Sequence, residues 1–506
     1  SNRKKIPSII QIHVIMKYRE LQPREQGFLF NNIEDWVSED NPVRLIDLLI
    51  NKLYESDPDK FTASRSSSND TTGRKAYPPY LFAKLYLYGY LNRINSSRRL
   101  EAECSRNLEV IWLMNNERPD FKTISNFRKD NGEVIRWCSR SFKTFLRETG
   151  YIKNEKVAYD GCKVKAYAAK EGYTLDGITH RISNLEKDLE TYFSLLEKTD
   201  VEEDLSEEAI QRETALMERI SSLENQLHTL ESYKQKMESE SRSSYFPNDP
   251  EAILLKGRYG SYPGYNLQAG VDASNHMVVS AEVTTHANDW DELSKNVQTS
   301  TEETGISPRI VLADKGYAQI SQIESVQKQE GVREVVVPLQ ESDRQKKDRL
   351  NHLHFTYDKD ADTVICPKGK VMELKQADYV NRHGTHARKY TARKVHCASC
   401  PLKEVCNGSS KNGRNYYISH DSFLESYKEK SQTKEFRKLS AERKNIIEHL
   451  FGTFRMWMGK IPLLLRGHQK VQTEIDIYAT AYNLKRLINL EPVCVMLDKL
   501  QNYQFA

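Results

Sequence analysis

The chain has 506 residues, 38% of them hydrophobic and 29% charged, with a formal net charge of +4. That length predicts more than one domain, or one core with large insertions, and the composition excludes wholesale disorder. No apolar run reaches the ~18 residues of a membrane span, and a charge so near balance excludes a protein that is basic all over. A nucleic-acid partner would have to be held by local patches.

The first residues, SNRKKIPSIIQIHVIMKY, join a basic end to a short apolar stretch. His13 interrupts that stretch and no small-residue cleavage site follows, so a secretory signal is the lesser reading. Met16 is a candidate original start. Residues 17–150 read as a mostly helical domain. EDWVSEDNPVRLIDLLINKLYE predicts an amphipathic helix whose apolar face is Val43, Leu45, Ile46, Leu48, Leu49 and Leu53. The polar stretch SRSSSNDTTGRKAYPP reads as a loop. Several short-linked helices follow, with Ser96 or Ser97 as a candidate N-cap before RRLEAECSRN.

Residues 156–168 form the first apolar strand candidate. Ile182, Leu185, Leu189, Tyr192 and Leu196 then step by three and four, and the rhythm resumes at Leu216, Ile220, Leu223, Leu227 and Leu230. Two such helices with a short polar link predict an antiparallel helical hairpin over 176–244, an insertion that packs on itself or a dimer or DNA contact. GYNLQAGVDASNHMVVSAEVTT predicts a β-hairpin with Asn275 in its turn. Helix, strand, helix and strand follow through EVVVPL, which makes a mixed α/β sheet. Residues 341–435 are polar, basic and Cys-containing, and helices return from about 436. The expected domains are therefore 17–150, a catalytic core from 151–175, 245–340 and 436–490, and insertions at 176–244 and 341–435.

Three acidic residues stand in distinctive settings. Asp160 in VAYDGCKVKA and Asp314 in RIVLADKGYA lie on short apolar runs that read as buried strands. Glu448 in RKNIIEHLFGTFR lies on an amphipathic helix. Two strand-borne aspartates and a helix-borne glutamate suit a pair of hard divalent cations, which prefer oxygen ligands and drive phosphodiester chemistry when about 3.5–4 Å apart. Spacing alone does not single them out, because the chain holds 71 Asp and Glu and an Asp at a strand end often only forms a turn.

The surrounding words do. AYDGCKVKA, GYNLQAGVD, LADKGYA and IIEHLFGTFR, followed by LLLRGHQKV and AYNLKRL, resemble the DDE transposases of bacterial insertion sequences. The nearest group is the one named after insertion sequence eleven-eighty-two. PVRLIDLLI, RLEAECSRNLEVIWLM and RPDFKTISNFRKDN resemble its N-terminal domain, so the resemblance runs from about Tyr18 to Leu487. It implies an RNase H-like catalytic fold with Asp160, Asp314 and Glu448 as catalytic ligands of Mg²⁺ or Mn²⁺. It implies an enzyme that binds the terminal inverted repeats of a mobile element in double-stranded DNA, then cleaves and transfers strands. It also implies that Arg455, seven residues past Glu448, helps hold the DNA end. One departure stands out. The wider superfamily often has a Tyr and an Arg seven and four residues before the Glu, where this chain has Ala441 and Lys444. Lys444 keeps the charge but loses the planar fork.

Trp290 in HANDWDEL suits stacking on an extruded base or packing at a sheet edge. Asp289 and Asp291 suit the metal site or, more simply, a helix cap. Cys397-x2-Cys400-x5-Cys406 with Cys366 upstream offers four thiols for structural Zn²⁺, with His396 as a substitute ligand and free thiols as the alternative. Over 380–414, Arg382, Arg388, Lys389, Arg393, Lys394, Lys403, Lys411 and Arg414 face the single acid Glu404, a candidate DNA-backbone contact or a solvated surface. Arg98, Arg99, Arg106, Lys122, Arg128 and Lys129 punctuate the N-terminal helices and could grip the repeats through a helix-turn-helix-like unit. The expectation is a cytoplasmic, nucleoid-associated homodimer on DNA, with no membrane partner. The rivals are a catalytically silent domesticated DNA-binding protein and an RNase H-like nuclease or resolvase.

Overall fold

The computed structural model of the chain describes residues 32–61, 77–168, 172–201, 207–257, 260–339, 350, 354–358, 360–380, 386–408, 410–419, 422–458 and 463–505. The candidate signal segment, Met16, Arg382, most of the loop before Tyr77 and the link between the two heptad-like helices lie outside them.

The described N-terminal residues hold the α-helices α1 (Val43–Ser56), α2 (Pro79–Leu91), α3 (Ser97–Arg106), α4 (Leu108–Leu113), α5 (Phe121–Asp130) and α6 (Gly132–Glu148). The amphipathic stretch opens in a short 3-10 turn, Ile33–Trp36, and is α-helical only from Val43, because Pro42 suits a helix start and cannot sit inside one. Its predicted face is buried except for Leu48, which packs at the edge. Ser96 precedes α3 at the N-cap position but makes no side-chain cap bond. Asp120 caps α5 instead, accepting from the backbone N–H of Lys122 and Thr123 at 2.9 and 3.0 Å.

The central sheet begins with β1 (Lys156–Lys165). A two-stranded ladder of β2 (Tyr173–Thr174) and β3 (Ser244–Tyr245) closes the base of a helix pair, α7 (Leu175–Val201) and α8 (Glu207–Ser239). Ile178 and Ile182 meet Leu230 and Met237, while Leu189 meets Ile220 and Leu223. Early residues of α7 thus face late residues of α8, the antiparallel arrangement that the heptad spacing predicts. The sheet continues with β4 (Ile253–Gly257), β5 (Gly260–Asp272), β6 (Val278–Thr284), α9 (Leu293–Thr304), β7 (Ile310–Ala313), α10 (Ile320–Gln327) and β8 (Glu334–Val336).

Its order is β4-β5-β1-β7-β8, with β6 also pairing β5. β5 and β6 form the expected hairpin, and β5 runs antiparallel to β1 with Asp160 opposite Ala269. β1, β7 and β8 are parallel. Val157, Ala158 and Tyr159 are buried in succession, as are Val311, Leu312 and Ala313. Unbroken burial of that kind is what parallel strands covered on both faces require.

The Cys-containing stretch folds around a second sheet of five strands: β9 (Thr356–Asp358), β10 (Thr363–Ile365), β11 (Val371–Val380), β12 (His386–Thr391) and β13 (Asn415–Ser419). Between the last two strands lie α11 (Lys394–Ala398) and α12 (Lys403–Cys406). The chain then returns through α13 (Ser422–Ser431), α14 (Lys434–Met458), α15 (His468–Leu490) and α16 (Val493–Asn502). α14 packs across β1, β5 and β7, and α15 lies between β6 and the helices α2 and α6. One contiguous apolar core therefore runs from Val37 to Leu500 and joins the N-terminal helices to the sheet.

Candidate active site

β1 and β7 are parallel neighbours in which Tyr159 pairs with Ala313. The next residue of each, Asp160 and Asp314, therefore emerges side by side at the same end of the sheet. Asp160 Oδ1 accepts from the N–H of Gly161 at 2.8 Å, and Asp314 Oδ1 accepts from that of Gly316 at 2.6 Å. Burial holds the Asp160 carboxyl above its ordinary range. Arg443 opposes that shift and the charge of Asp314 adds to it, so the two carboxylates sense each other.

A third carboxylate lies against them. Asp289, in the loop between β6 and α9, accepts from Asn266 Nδ2 at 2.8 Å and Gln268 Nε2 at 2.5 Å. Gln268 Oε1 in turn accepts from Asn296 Nδ2 at 2.8 Å and from the buried hydroxyl of Tyr317. A Cβ on Gly161 would collide with the Asp289 carboxylate. One on Gly316 would stand 2.7 Å from Asp314 Oδ1 and 3.5 Å from Asp289 Oδ2. The glycines after Asp160 and near Asp314 thus leave room for Asp289. Burial pushes Tyr317 well above the usual phenol range, and the charges of Asp289, Asp160 and Asp314 push it further. Helix capping, the simpler role for Asp289, is not what it does: the N-cap of α9 is Glu292. Asp291 is exposed.

Glu448 stands apart. Its side chain is 62% exposed, and its nearest cation is Lys444 one turn earlier, 3.6 Å away. The residue of α14 that reaches Asp160 is Arg443, whose Nη1 donates to Oδ2 at 2.8 Å. Five residues turn a helix by roughly 140°, so Arg443 and Glu448 cannot face one point together. The charge of Arg455 reaches the thiol of Cys162, two residues past Asp160, and lowers the pKa that burial raises there. Among the described residues, no three His, Cys, Asp or Glu side chains are gathered so that they could hold a metal ion as they stand. The donors present are nevertheless hard oxygens, the kind that Mg²⁺ and Mn²⁺ take. They fit such a cation in kind, while the Arg443 guanidinium holds one Asp160 oxygen.

Sequence reasoning missed Arg443 and gave Asp289 a lesser role. The first had a signal, an Arg–Lys pair just before the apolar run that holds Glu448. The second had the glycine after Asp160, which only a close neighbour explains.

The remaining candidates divide by burial. Trp290 is 38% exposed beside Asp289. Arg98 lies over the Phe121 ring, 4.2 Å from its centroid, and Arg99 is exposed. Lys129 is exposed, 3.8 Å from Asp130. Arg128 is 3% exposed, donates to the Tyr90 hydroxyl at 2.8 Å and pairs with Glu474 at 3.2 Å. It is a core cation, because its amphipathic helix turns that position inward. The basic stretch is also less unbalanced than its sequence window suggests, since Arg388 pairs with Asp362 and Arg393 with Glu373.

The four late cysteines are neighbours. Cys366, Cys397 and Cys406 pack against one small core, and burial raises Cys406 with further contributions from the other three thiols. None is in a disulfide. Backbone bonds from Gly369 to Cys366 O (2.7 Å) and Cys400 to Cys397 O (3.4 Å) fold both Cys turns tightly.

Two family models match the chain. Residues 31–130 match one described as Transposase domain (DUF772), and residues 365–488 match one described as Transposase DDE domain. No curated protein and no solved structure matches it. The first match covers α1 to α5. The second covers Arg443, Glu448, Arg455 and the four late cysteines, while Asp160 and Asp314 lie outside both. Together they support a DDE transposase, whose class of enzyme cuts and joins DNA strands. Among the described residues no helix is long and apolar enough to cross a membrane.

Proposed function

We propose that this chain is a transposase of the insertion sequence eleven-eighty-two group. It binds the terminal inverted repeats of its element as a homodimer on double-stranded DNA, and cleaves and transfers strands with Asp160, Asp314 and Glu448. The observation that carries the reading is the pair Asp160 and Asp314 at matching ends of adjacent parallel strands, with the Glu448 helix packed across both strands. A hairpin followed by two parallel crossovers also suits an RNase H-like core, in which rigid strands hold the aspartates in place.

Bound Mg²⁺ or Mn²⁺ would activate a water or a 3′-hydroxyl and stabilise the leaving oxygen. Asp160 and Asp314 would hold the cation between the strand ends, and Glu448 would complete the set from α14. Arg455 and Lys444 would hold the DNA end, and Arg98, Arg99 and Lys129 would contact backbone phosphates. Trp290, exposed beside Asp289, would meet a displaced base. Cys366, Cys397, Cys400 and Cys406 would take Zn²⁺, drawn from their present spacing to about 2.3 Å from the metal. The protein would work in the cytoplasm at the nucleoid.

The outward position of Glu448 favours a second reading, a catalytically silent DNA-binding protein. Incubation with labelled element ends and Mg²⁺ separates the two. End cleavage that disappears in Asp160→Ala, Asp314→Ala and Glu448→Ala supports the transposase. Tight binding without cleavage supports the silent protein, and cutting of branched junctions without end specificity supports a resolvase.

A further inference from the structure

We propose that Arg443 is a built-in counter-ion that occupies the cation position on Asp160 and couples DNA binding to metal binding. The inference rests on the metal site proposed above.

Gly161 takes Asp160 Oδ1, and Arg443 takes Oδ2 at 2.8 Å. The pair is sheltered, with side chains 17% and 24% exposed, so its attraction is stronger than that of a surface pair. A divalent cation held by Asp160 and Asp314 would compete with Arg443 for the Asp160 carboxylate. Like charge sets the guanidinium and the metal against each other at that carboxylate.

The next residue of α14 repeats the arrangement. Lys444 stands 3.6 Å from Glu448, so consecutive basic residues of one helix each partner a carboxylate of the proposed site. Arg443 can exchange Asp160 for another anion. The backbone phosphate of DNA is that anion, and it matches the planar fork with two parallel hydrogen bonds. DNA arriving at the site therefore draws Arg443 off Asp160 and frees the carboxylate for the cation. By linkage each ligand raises the affinity for the other by the same factor.

The test measures Mn²⁺ binding to the full chain by electron paramagnetic resonance, with and without a duplex ending in the inverted repeat that flanks the gene. In the unsubstituted chain the duplex should tighten Mn²⁺ binding by at least about tenfold, within the usual range of allosteric coupling. Arg443→Gln should bind Mn²⁺ tightly without DNA and gain little from the duplex, whereas Arg443→Lys should keep most of the coupling. The proposal is overturned if the duplex leaves Mn²⁺ affinity of the unsubstituted chain unchanged, a result that needs no variant to fold. It is equally overturned if Arg443→Gln retains the full coupling or binds Mn²⁺ more weakly than the parent. Adding Asp160→Asn to Arg443→Gln should abolish the tight site. Tight binding that survives this change removes Asp160 from the metal site and takes the underlying functional reading down with it.

Discussion

At the scale of single residues, the site is shaped as much by glycine and arginine as by its carboxylates. Gly161 lies where any side chain would strike Asp289. Gly161→Ala should therefore lower stability by about 1–3 kcal/mol, the usual cost of overpacking, and displace Asp289 from Asn266 and Gln268; a thermal melt and an Asn side-chain amide spectrum would show both. Asp160→Asn and Asp314→Asn should each reduce end cleavage by on the order of a thousandfold, since a metal-held charge is worth several kcal/mol in the transition state. Their melting temperatures should stay near that of the parent, and a gel-based cleavage assay alongside the melt checks the pair.

A buried acid remote from that chemistry predicts a pH effect. Burial pushes Asp476 up to about 7, helped by Glu303 and opposed by Lys143 and Arg136. The folded chain keeps a proton there that the unfolded chain loses from about pH 4 upward. The stability this group contributes is complete below about pH 4 and drains away as the pH rises through about 7. Asp476→Asn carries no such charge. It should shrink the fall in melting temperature between about pH 5 and pH 8, and equal slopes for parent and variant would refute the assignment.

Elements carry a different lesson. The α7–α8 pair has its own small cores and a two-stranded base, so it should open independently of the sheet. Leu223→Ala, at 2% exposure between Leu189 and Ile220, should cost about 2–5 kcal/mol, with amide exchange accelerated in this helix pair and little altered in β1. The second sheet depends on a core of only a few side chains, Phe355, Val364, Met372, Tyr390 and Ala392, with cysteines at its edge. A small module of that kind gains most from a metal staple. Purified chain should carry about one zinc, Cys397→Ser or Cys400→Ser should lose it, and a strong chelator should raise amide exchange in β11 and β12 before β1 and β7. A metal-free preparation with unchanged protection there would refute the zinc proposal.

For the whole molecule, the decisive contact joins distant parts of the chain. Arg128 of α5 and Glu474 of α15 form an ion pair with side chains 3% and 1% exposed, and Glu474 also accepts from the backbone N–H of Leu464 and Leu465 at 2.8 and 3.1 Å. Removing one partner leaves a buried charge uncompensated, so Arg128→Met should cost about 3–5 kcal/mol in a denaturant titration. The shared core also means that the N-terminal helices and the central sheet should unfold in one transition.

Much of this protein was already determined by its linear order. Apolar runs around Asp160 and Asp314, heptad steps at Leu189 and Leu223, and the Asn275 turn are local patterns, and a period of 2 or of 3.6 residues declares a strand or a helix without reference to neighbours. The apolar runs marked β1 and β7, with Asp160 on the first and Asp314 directly after the second, and the heptad steps marked the helix pair. Tertiary structure alone decided partners. That Asp160 meets Arg443 instead of Glu448, that Asp289 stands against both glycines, and that Arg128 faces Glu474 inside the core all follow from the packing of segments that are not neighbours in the chain. A helix shows its faces in its sequence, but which face meets which strand is settled only by the rotation at which α14 and α15 bury the most apolar surface.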